Sequence, residues 1–226
     1  MKPLTKEETR EHYDSLENFG DKSDTYYFKR RAEELLSFLS EIPRSSRILN
    51  MGCGDGKFSN FIKNHGFTNI VDADISISLL KSDKCPKRVL GDAENSSFNK
   101  DVFDAVIMTD VIEHIENRTK TIIELHRIVK ENGKIFITYP NPLWVPILNA
   151  LGKAGVKVDA KDGKVALHEF EDEIKPFFRV ELFKTIMIMS KLPAVFLSAF
   201  EKIEAKLPKN LMNRFGLMHV YVIKRK

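Results

Sequence analysis

Residues 47–56 read Arg47-Ile48-Leu49-Asn50-Met51-Gly52-Cys53-Gly54-Asp55-Gly56, and a helical pattern begins at Lys57. A short apolar run ending in alternating glycines reads as a buried strand entering a tight turn. Glycine takes positive φ without strain and leaves its backbone open to close approach. A plain strand-to-helix turn needs one such residue, so three mark a place that another group comes close to.

Outward from this stretch, helix and strand patterns alternate. A helix is expected over Lys57–Asn64, a strand over Asn69–Ala73, a short helix from Ser76 and a strand over Arg88–Leu90. A buried strand over Phe103–Met108 follows, then a helix from Arg118 to Lys130 that Asn132-Gly133 ends, then a strand over Lys134–Tyr139. Such alternation predicts a mainly parallel sheet with helices on both faces. Upstream, Glu7–Phe19 and Thr25–Ile42 read as helices; the second carries Phe28, Ala32, Leu35, Leu36 and Leu39 at helical spacing, and Pro43 stops it. Downstream of Pro140 the pattern is irregular. A loop-and-helix stretch runs to about Pro176, a strand covers Val180–Met187, a mixed segment spans Lys191–Phe215, and Met218–Lys224 is a last strand expected to run antiparallel.

Two acidic residues stand at the ends of the next two strands. Asp74 closes the second strand about 20 positions after the glycines, where a carboxylate accepts hydrogen bonds from ribose hydroxyls. Asp92, in Gly91-Asp92-Ala93-Glu94, follows the third strand at the place expected to meet an adenine ring. Either aspartate alone is more often a loop cap; three features at three successive strand ends read together as a nucleoside site. A dinucleotide site wants Gly-x-Gly-x-x-Gly, and its third glycine position is here Lys57. A nicotinamide cofactor is therefore the weaker reading.

Ile48–Gly56 resembles the first motif of class I S-adenosylmethionine-dependent methyltransferases, and Asp72-Ala73-Asp74-Ile75-Ser76 resembles their acidic second motif. Gly91–Glu94 is similar to the adenine-proximal segment, Phe103–Ile115 to the fourth motif, and Leu125–Lys134 to the turn into the fifth strand. The resemblance covers roughly Ile48 to Pro140 and points to the small-molecule branch called type 11. It implies a Rossmann-like fold: a seven-stranded, mainly parallel sheet with an antiparallel last strand, as one domain over 1–226. On this reading residues 1–43 form a helical lid, and 141–176 and 188–216 are insertions on the acceptor side. It implies S-adenosylmethionine as cofactor, with S-adenosylhomocysteine as product. Gly52, Cys53, Gly54 and Gly56 would cradle the methionine part, Asp74 with Ile75 the ribose, and Asp92 with Ala93 the adenine. Thr109 and Asp110 would line the floor near the sulfonium. Asn50 departs from the acidic residue usual two places before the first glycine.

Methyl transfer from a sulfonium is an in-line displacement in which the protein aligns the partners; a base is needed only for an acceptor that must lose a proton. His114, beside Glu113, and His168 are the candidate bases, with a solvated or capping role as the plain alternative. Tyr139 and Asn141 are candidates for orienting an acceptor. Leu192, Phe196, Phe200, Ile203 and Leu207 form one helical stripe, with Trp144, Leu143, Val145 and Ile147 as an opposite wall. Together with Lys184, Lys191, Lys202, Lys206 and Lys209 this suggests a small, hydrophobic, lipid-like acceptor, or peripheral contact with a membrane, against the plainer reading of a core helix. Tyr13, Tyr26 and Tyr27 fit a lid.

The 226 residues, 42% of them hydrophobic and 30% charged, suit one α/β domain, and a formal net charge of +4 does not call for a nucleic-acid partner. Cys53 and Cys85 give no disulfide framework, and the first residues lack an apolar signal core, so a cytoplasmic protein is expected. No His-Glu-x-x-His, Cys-x-x-Cys or grouped carboxylates are seen, and no metal is expected. A protein or nucleic-acid methyltransferase and a catalytically silent cofactor-binding scaffold stay open as alternatives, and the oligomeric state is not legible.

Overall fold

In the computed structural model, which describes residues 4–16, 25–154, 163–186, 204 and 206–226, seven strands make one sheet in the order β3-β2-β1-β4-β5-β7-β6. The strands are β1 Ile48–Met51, β2 Ile70–Asp74, β3 Arg88–Leu90, β4 Phe103–Thr109, β5 Val129–Pro140, β6 Phe178–Ile186 and β7 Met218–Arg225. The pairs β1·β2, β1·β4, β2·β3 and β4·β5 are parallel, and β7 runs antiparallel to both β5 and β6, as expected for the last strand.

The helices are α1 Lys6–Asp14, α2 Thr25–Leu39, α3 Lys57–Asn64, α4 Ile77–Ser82, α5 Arg118–Ile128, α6 Val145–Lys153, α7 Leu167–Ile174 and α8 Lys209–Phe215. Both faces of the sheet are covered. Ala32, Leu35, Phe38 and Leu39 of α2 pack with Phe58 and Ile62 of α3 on Ile48, Ile70, Ile107 and Phe136. On the other face Ile122, Leu125 and Ile128 of α5 pack with Phe170 and Ile174 of α7 on Leu49, Val71, Val106 and Ile137. This two-sided cover is why β1 and β2 are buried at every residue. Three residues of these two strands are polar all the same: Asn50, Asp72 and Asp74. Each therefore requires a partner inside the protein.

The element boundaries differ from the sequence reading in places. Asn132-Gly133 does not end the fifth helix; α5 stops at Ile128, and β5 already pairs at Val129 with Phe103. The register then shifts, so that Ala105 faces Lys134, and residues 130–133 form a bulge in which Asn132 takes φ 62°. A Cβ on Gly133 would lie 2.9 Å from the Lys130 carbonyl oxygen, so the glycine serves the bulge. α1 is shorter than the reading at its end, stopping at Asp14, and α2 ends at Leu39, three residues before Ile42. The stripe residues Leu192, Phe196, Phe200 and Ile203 lie outside the described residues. No helix among the described residues is long and apolar enough to cross a membrane.

Candidate active site

The turn after β1 is built as its glycines suggest. Gly52, Gly54 and Gly56 have φ of 72°, 57° and 76°. The Gly52 and Cys53 N–H groups donate to the Ala73 carbonyl at 2.7 and 3.1 Å, which carries the β1·β2 pairing into the turn. A Cβ on Gly52 would fall 2.3 Å from Cγ2 of Val111, and one on Gly56 2.0 Å from Oδ1 of Asp83. The turn is thus pressed against the segments that follow β4 and α4, and a side chain at either position would force them apart.

Asp74, the last residue of β2, faces this turn. Its Oδ2 accepts from the Gly54 N–H and its Oδ1 from the Ser76 N–H, both at 2.8 Å. Burial pushes its carboxyl pKa up, and the backbone N–H donors pull the other way. These two bonds use one lone pair on each oxygen, leaving acceptor capacity of the sort a vicinal diol fills. Ile75 follows, half-buried, and Ser76 caps α4.

At the next strand tip Gly91 continues the ladder, its N–H on the Asp74 carbonyl at 2.9 Å. Asp92 caps its own loop through the Glu94 N–H at 2.9 Å and pairs with Lys6 Nζ at 2.6 Å. Ala93, expected beside the adenine, is 7% exposed and packs into the core cluster under the sheet edge. Beyond β4, Thr109 is buried and Asp110 takes φ 57°. The Asp110 carboxylate accepts from Thr138 Oγ1 at 3.0 Å, from the Tyr27 hydroxyl at 3.1 Å and from the Arg31 guanidinium. That guanidinium lies 4.2 Å from the Tyr27 ring centroid and 5.1 Å from that of Phe58.

The first helix runs over these strand tips. Asp14 accepts from Ser76 Oγ at 2.6 Å and from the Ser78 N–H at 3.1 Å. At its other end Lys6 reaches Asp92, and the Lys6 N–H donates to Glu116 at 3.0 Å. Tyr13 meets the His114 ring edge-on, with centroids 5.8 Å apart. α1 is therefore fastened to the segments that follow β2, β3 and β4. Sequence reasoning had no signal for Lys6, Asp14 or Arg31, because their partners lie between 62 and 110 residues away along the chain.

Residues 24–187 match the model of a methyltransferase-domain family. The chain belongs to that family. Among curated relatives, this methyltransferase domain is 37% identical over 110 residues to the tRNA (carboxymethyluridine(34)-5-O)-methyltransferase of Arabidopsis thaliana, covering 46% of the chain and 26% of the relative. It is 27% identical over 140 residues to the ubiquinone biosynthesis O-methyltransferase of Xanthomonas oryzae, covering 58% of the chain and 57% of the relative. The chain thus spans from about a quarter to somewhat over half the length of these relatives. Among solved structures, the PH0226 protein of Pyrococcus horikoshii has 19% identity and a TM-score of 0.66, with 96% and 99% of the two chains covered. The geranyl diphosphate C-methyltransferase of Streptomyces coelicolor has 13% identity and a TM-score of 0.66, with 98% and 97% covered.

Within the methyltransferase domain, other sequence candidates sit differently from their expected roles. Asn50 is 1% exposed; its Nδ2 donates to Ser59 Oγ at 2.9 Å, and its Oδ1, the acceptor expected to face the cofactor's amino group, has no hydrogen-bond partner among the described residues. Tyr139 is fully buried in an aromatic cluster with Phe170, His219 and Tyr221, which makes it a packing residue. Asn141 holds the chain after β5 to the end of α8, donating to the Arg214 and Gly216 carbonyls at 3.1 and 2.9 Å. His114 closes a single 3₁₀ turn after β4, with Nε2 3.9 Å from Glu113 Oε1, whereas His168 is exposed on α7. The fold brings His114 close to Tyr13 of α1, the helix that reaches Asp92.

Proposed function

We propose that this methyltransferase domain binds S-adenosylmethionine along the glycine turn and methylates a small apolar acceptor at the carboxyl edge of the sheet. The observation that carries the reading is the turn itself: three glycines at positive φ with the Asp74 carboxylate on the Gly54 N–H. Residues and cofactor fit, because Asp74 faces the turn through the Gly54 N–H and retains acceptor capacity for ribose hydroxyls. The cofactor supplies a methyl group activated on a sulfonium.

The chain's own residues then have distinct tasks. The glycine turn and Cys53 receive the amino-acid part, Asp74 holds the ribose, and Asp92, steadied by Lys6, borders the adenine. α1 shuts water out across the strand tips, which strengthens every polar contact beneath it. Asp110, its charge balanced by Arg31, forms the floor beside Thr109. For an acceptor hydroxyl, His114 takes up the proton, with Glu113 alongside to favour the imidazolium.

The apolar acceptor is supported by the surface of α6 and α8. Leu143, Ile147 and Leu151 recur at helical spacing and are 53%, 50% and 38% exposed, and Leu211 and Phe215 of α8 are exposed as well. Trp144 joins the two helices, its Nε1 donating to the Phe215 carbonyl at 2.9 Å. The ubiquinone-pathway and geranyl diphosphate relatives point the same way. A second reading, methylation of an RNA, is favoured by the likeness to a tRNA methyltransferase. Calorimetric titration with S-adenosylhomocysteine and with NADH tests the cofactor: saturable binding of the first alone is expected, and binding of NADH alone would refute it. Transfer of labelled methyl into a cell extract tests the acceptor: label extracted into organic solvent supports the apolar acceptor, and label released by ribonuclease supports the RNA.

A further inference from the structure

Beneath the glycine turn the fold gathers groups that no motif announces. The Cys53 thiol, an Asp72 carboxylate oxygen and an Asp83 carboxylate oxygen all lie within 4.8 Å of one another, and all three residues are buried. Asp72 is 0% exposed and Asp83 2%. Asp72 Oδ1 accepts from Ser59 Oγ, which in turn accepts from the Asn50 amide, and Asp83 Oδ1 accepts from the Cys85 N–H at 2.8 Å. The other oxygen of each carboxylate, Oδ2, has no hydrogen-bond partner, and no ion pair reaches either group among the described residues. Two adjacent carboxylates with orphaned oxygens and no cation cannot both be ionised in such a place; one proton between them removes a charge and supplies the missing donor.

We propose that Asp72 and Asp83 share one proton, and that this carboxylic acid–carboxylate pair is a positioning element that holds the glycine turn in its cofactor-binding shape. Asp83 Oδ1 lies where a Cβ of Gly56 would be, so the pair is the surface on which the start of α3 rests. Asp72 is two residues before Asp74 on β2, so the same pair fixes the strand that carries the ribose carboxylate. Burial and the adjoining Asp83 push the Asp72 carboxyl up to about 7, so the pair holds a proton below that pH. The remaining groups around the pair do not replace it. The Cys53 and Cys85 thiols are held protonated by burial, and Asp74 adds negative charge. Lys63 acts on Cys85, and the Arg88 guanidinium donates to the Leu80 and Asp83 carbonyls rather than to a carboxylate. Loss of the proton sets two like charges against each other under Gly56 and loosens the turn.

The cofactor arm of the test rests on the proposed function; the stability arm does not. For the wild type, affinity for S-adenosylhomocysteine is expected to fall as pH rises through about 7, approaching about tenfold per unit at the limit. Asp72→Asn, a neutral amide of the same shape, is expected to bind as the wild type does at pH 6 and to lose that fall. Without ligand, the unfolding free energy of the wild type relative to Asp72→Asn should decline between about pH 4 and 7. The infrared carboxylic-acid C=O band should be present at pH 6 in the wild type and absent from Asp72→Asn. Parallel pH profiles for the two proteins, no such band, or one equivalent of a divalent metal in the purified protein would each overturn the proposal. A declining stability difference with no S-adenosylhomocysteine binding at any pH would keep the pair and refute the cofactor reading instead.

Discussion

Asn50 explains best how single residues are chosen here. The usual acidic residue at this place would aim another carboxylate at Ser59, in an interior that already holds Asp72, Asp74 and Asp83. An amide instead donates to Ser59 and so feeds a donor chain toward Asp72. Asn50→Asp is accordingly expected to destabilise the protein, more at pH 8 than at pH 5, because the added group is ionised at the higher pH; urea unfolding at the two values checks this. At the turn, Gly56→Ala combines a φ of 76° with a methyl 2.0 Å from Asp83 Oδ1. A loss of about 1–3 kcal/mol is expected for such strain, read from the unfolding midpoint. Asp74→Ala removes the acceptor of two backbone N–H groups as well as the ribose ligand. Leaving such groups without a partner costs about 1–3 kcal/mol, so S-adenosylhomocysteine binding should weaken at least about tenfold in calorimetry.

Among the elements, α1 has the clearest task. It is a short helix with a capping box, in which Thr5 Oγ1 accepts from the Glu8 N–H at 3.3 Å and Glu8 accepts back from the Thr5 N–H at 2.8 Å. An isolated helix of this length is marginal in water, so its order depends on the contacts of Lys6 and Asp14 with the sheet. Lys6 is 36% exposed at its side chain, and its pair with Asp92 is worth less than about 1 kcal/mol. Lys6→Ala should therefore weaken S-adenosylhomocysteine binding only a few-fold, whereas Asp14→Ala, which removes two hydrogen bonds to the start of α4, should do more. Hydrogen exchange should speed up across α1 in both variants and stay unchanged in α5. An equal rise in α5 would mean that α1 is part of the core rather than a cover.

For the whole molecule, the buried groups His219 and Asp72 act in opposite directions, and Asp74, also raised by burial, acts in the same direction as Asp72. Burial holds His219, on β7, neutral and lowers its pKa to about 4, so the unfolded chain binds more protons than the folded one between about pH 4 and 6.5. Stability from that source rises with pH through the window and is flat above it. Asp72, raised to about 7, binds more protons when folded, and its contribution falls with pH from about 4 to 7. The contributions are at most on the order of 3 kcal/mol for His219 and about 4 kcal/mol for Asp72, so Asp72 offsets the rise from His219 between about pH 4.5 and 6. Asp72→Asn should leave a curve that rises with pH there, measurable by denaturant unfolding across the range; a curve as level as that of the wild type would show that the two groups do not offset each other.

The order of elements and the glycine turn were legible in the chain itself, because hydrophobic period and positive-φ glycine are local properties, whereas the antiparallel direction of the last strand came from the resemblance to class I methyltransferases. Asp74 was legible too, since strand length alone places it at the tip of β2. The bulge at Asn132-Gly133 was not, because a glycine that ends a helix and one that serves a bulge look alike until the pairing of Val129 with Phe103 is known. Nor were the burial of Tyr139 and the anchoring task of Asn141, which depend on α7 and α8 coming to lie beside β5. The gathering of Asn50, Cys53, Asp72 and Asp83, and of Lys6, Asp14 and Arg31 over the strand tips, was decided by tertiary structure alone. Charge pairing and burial act between residues distant in sequence, and no spacing along the chain encodes them until the sheet has set its strands side by side.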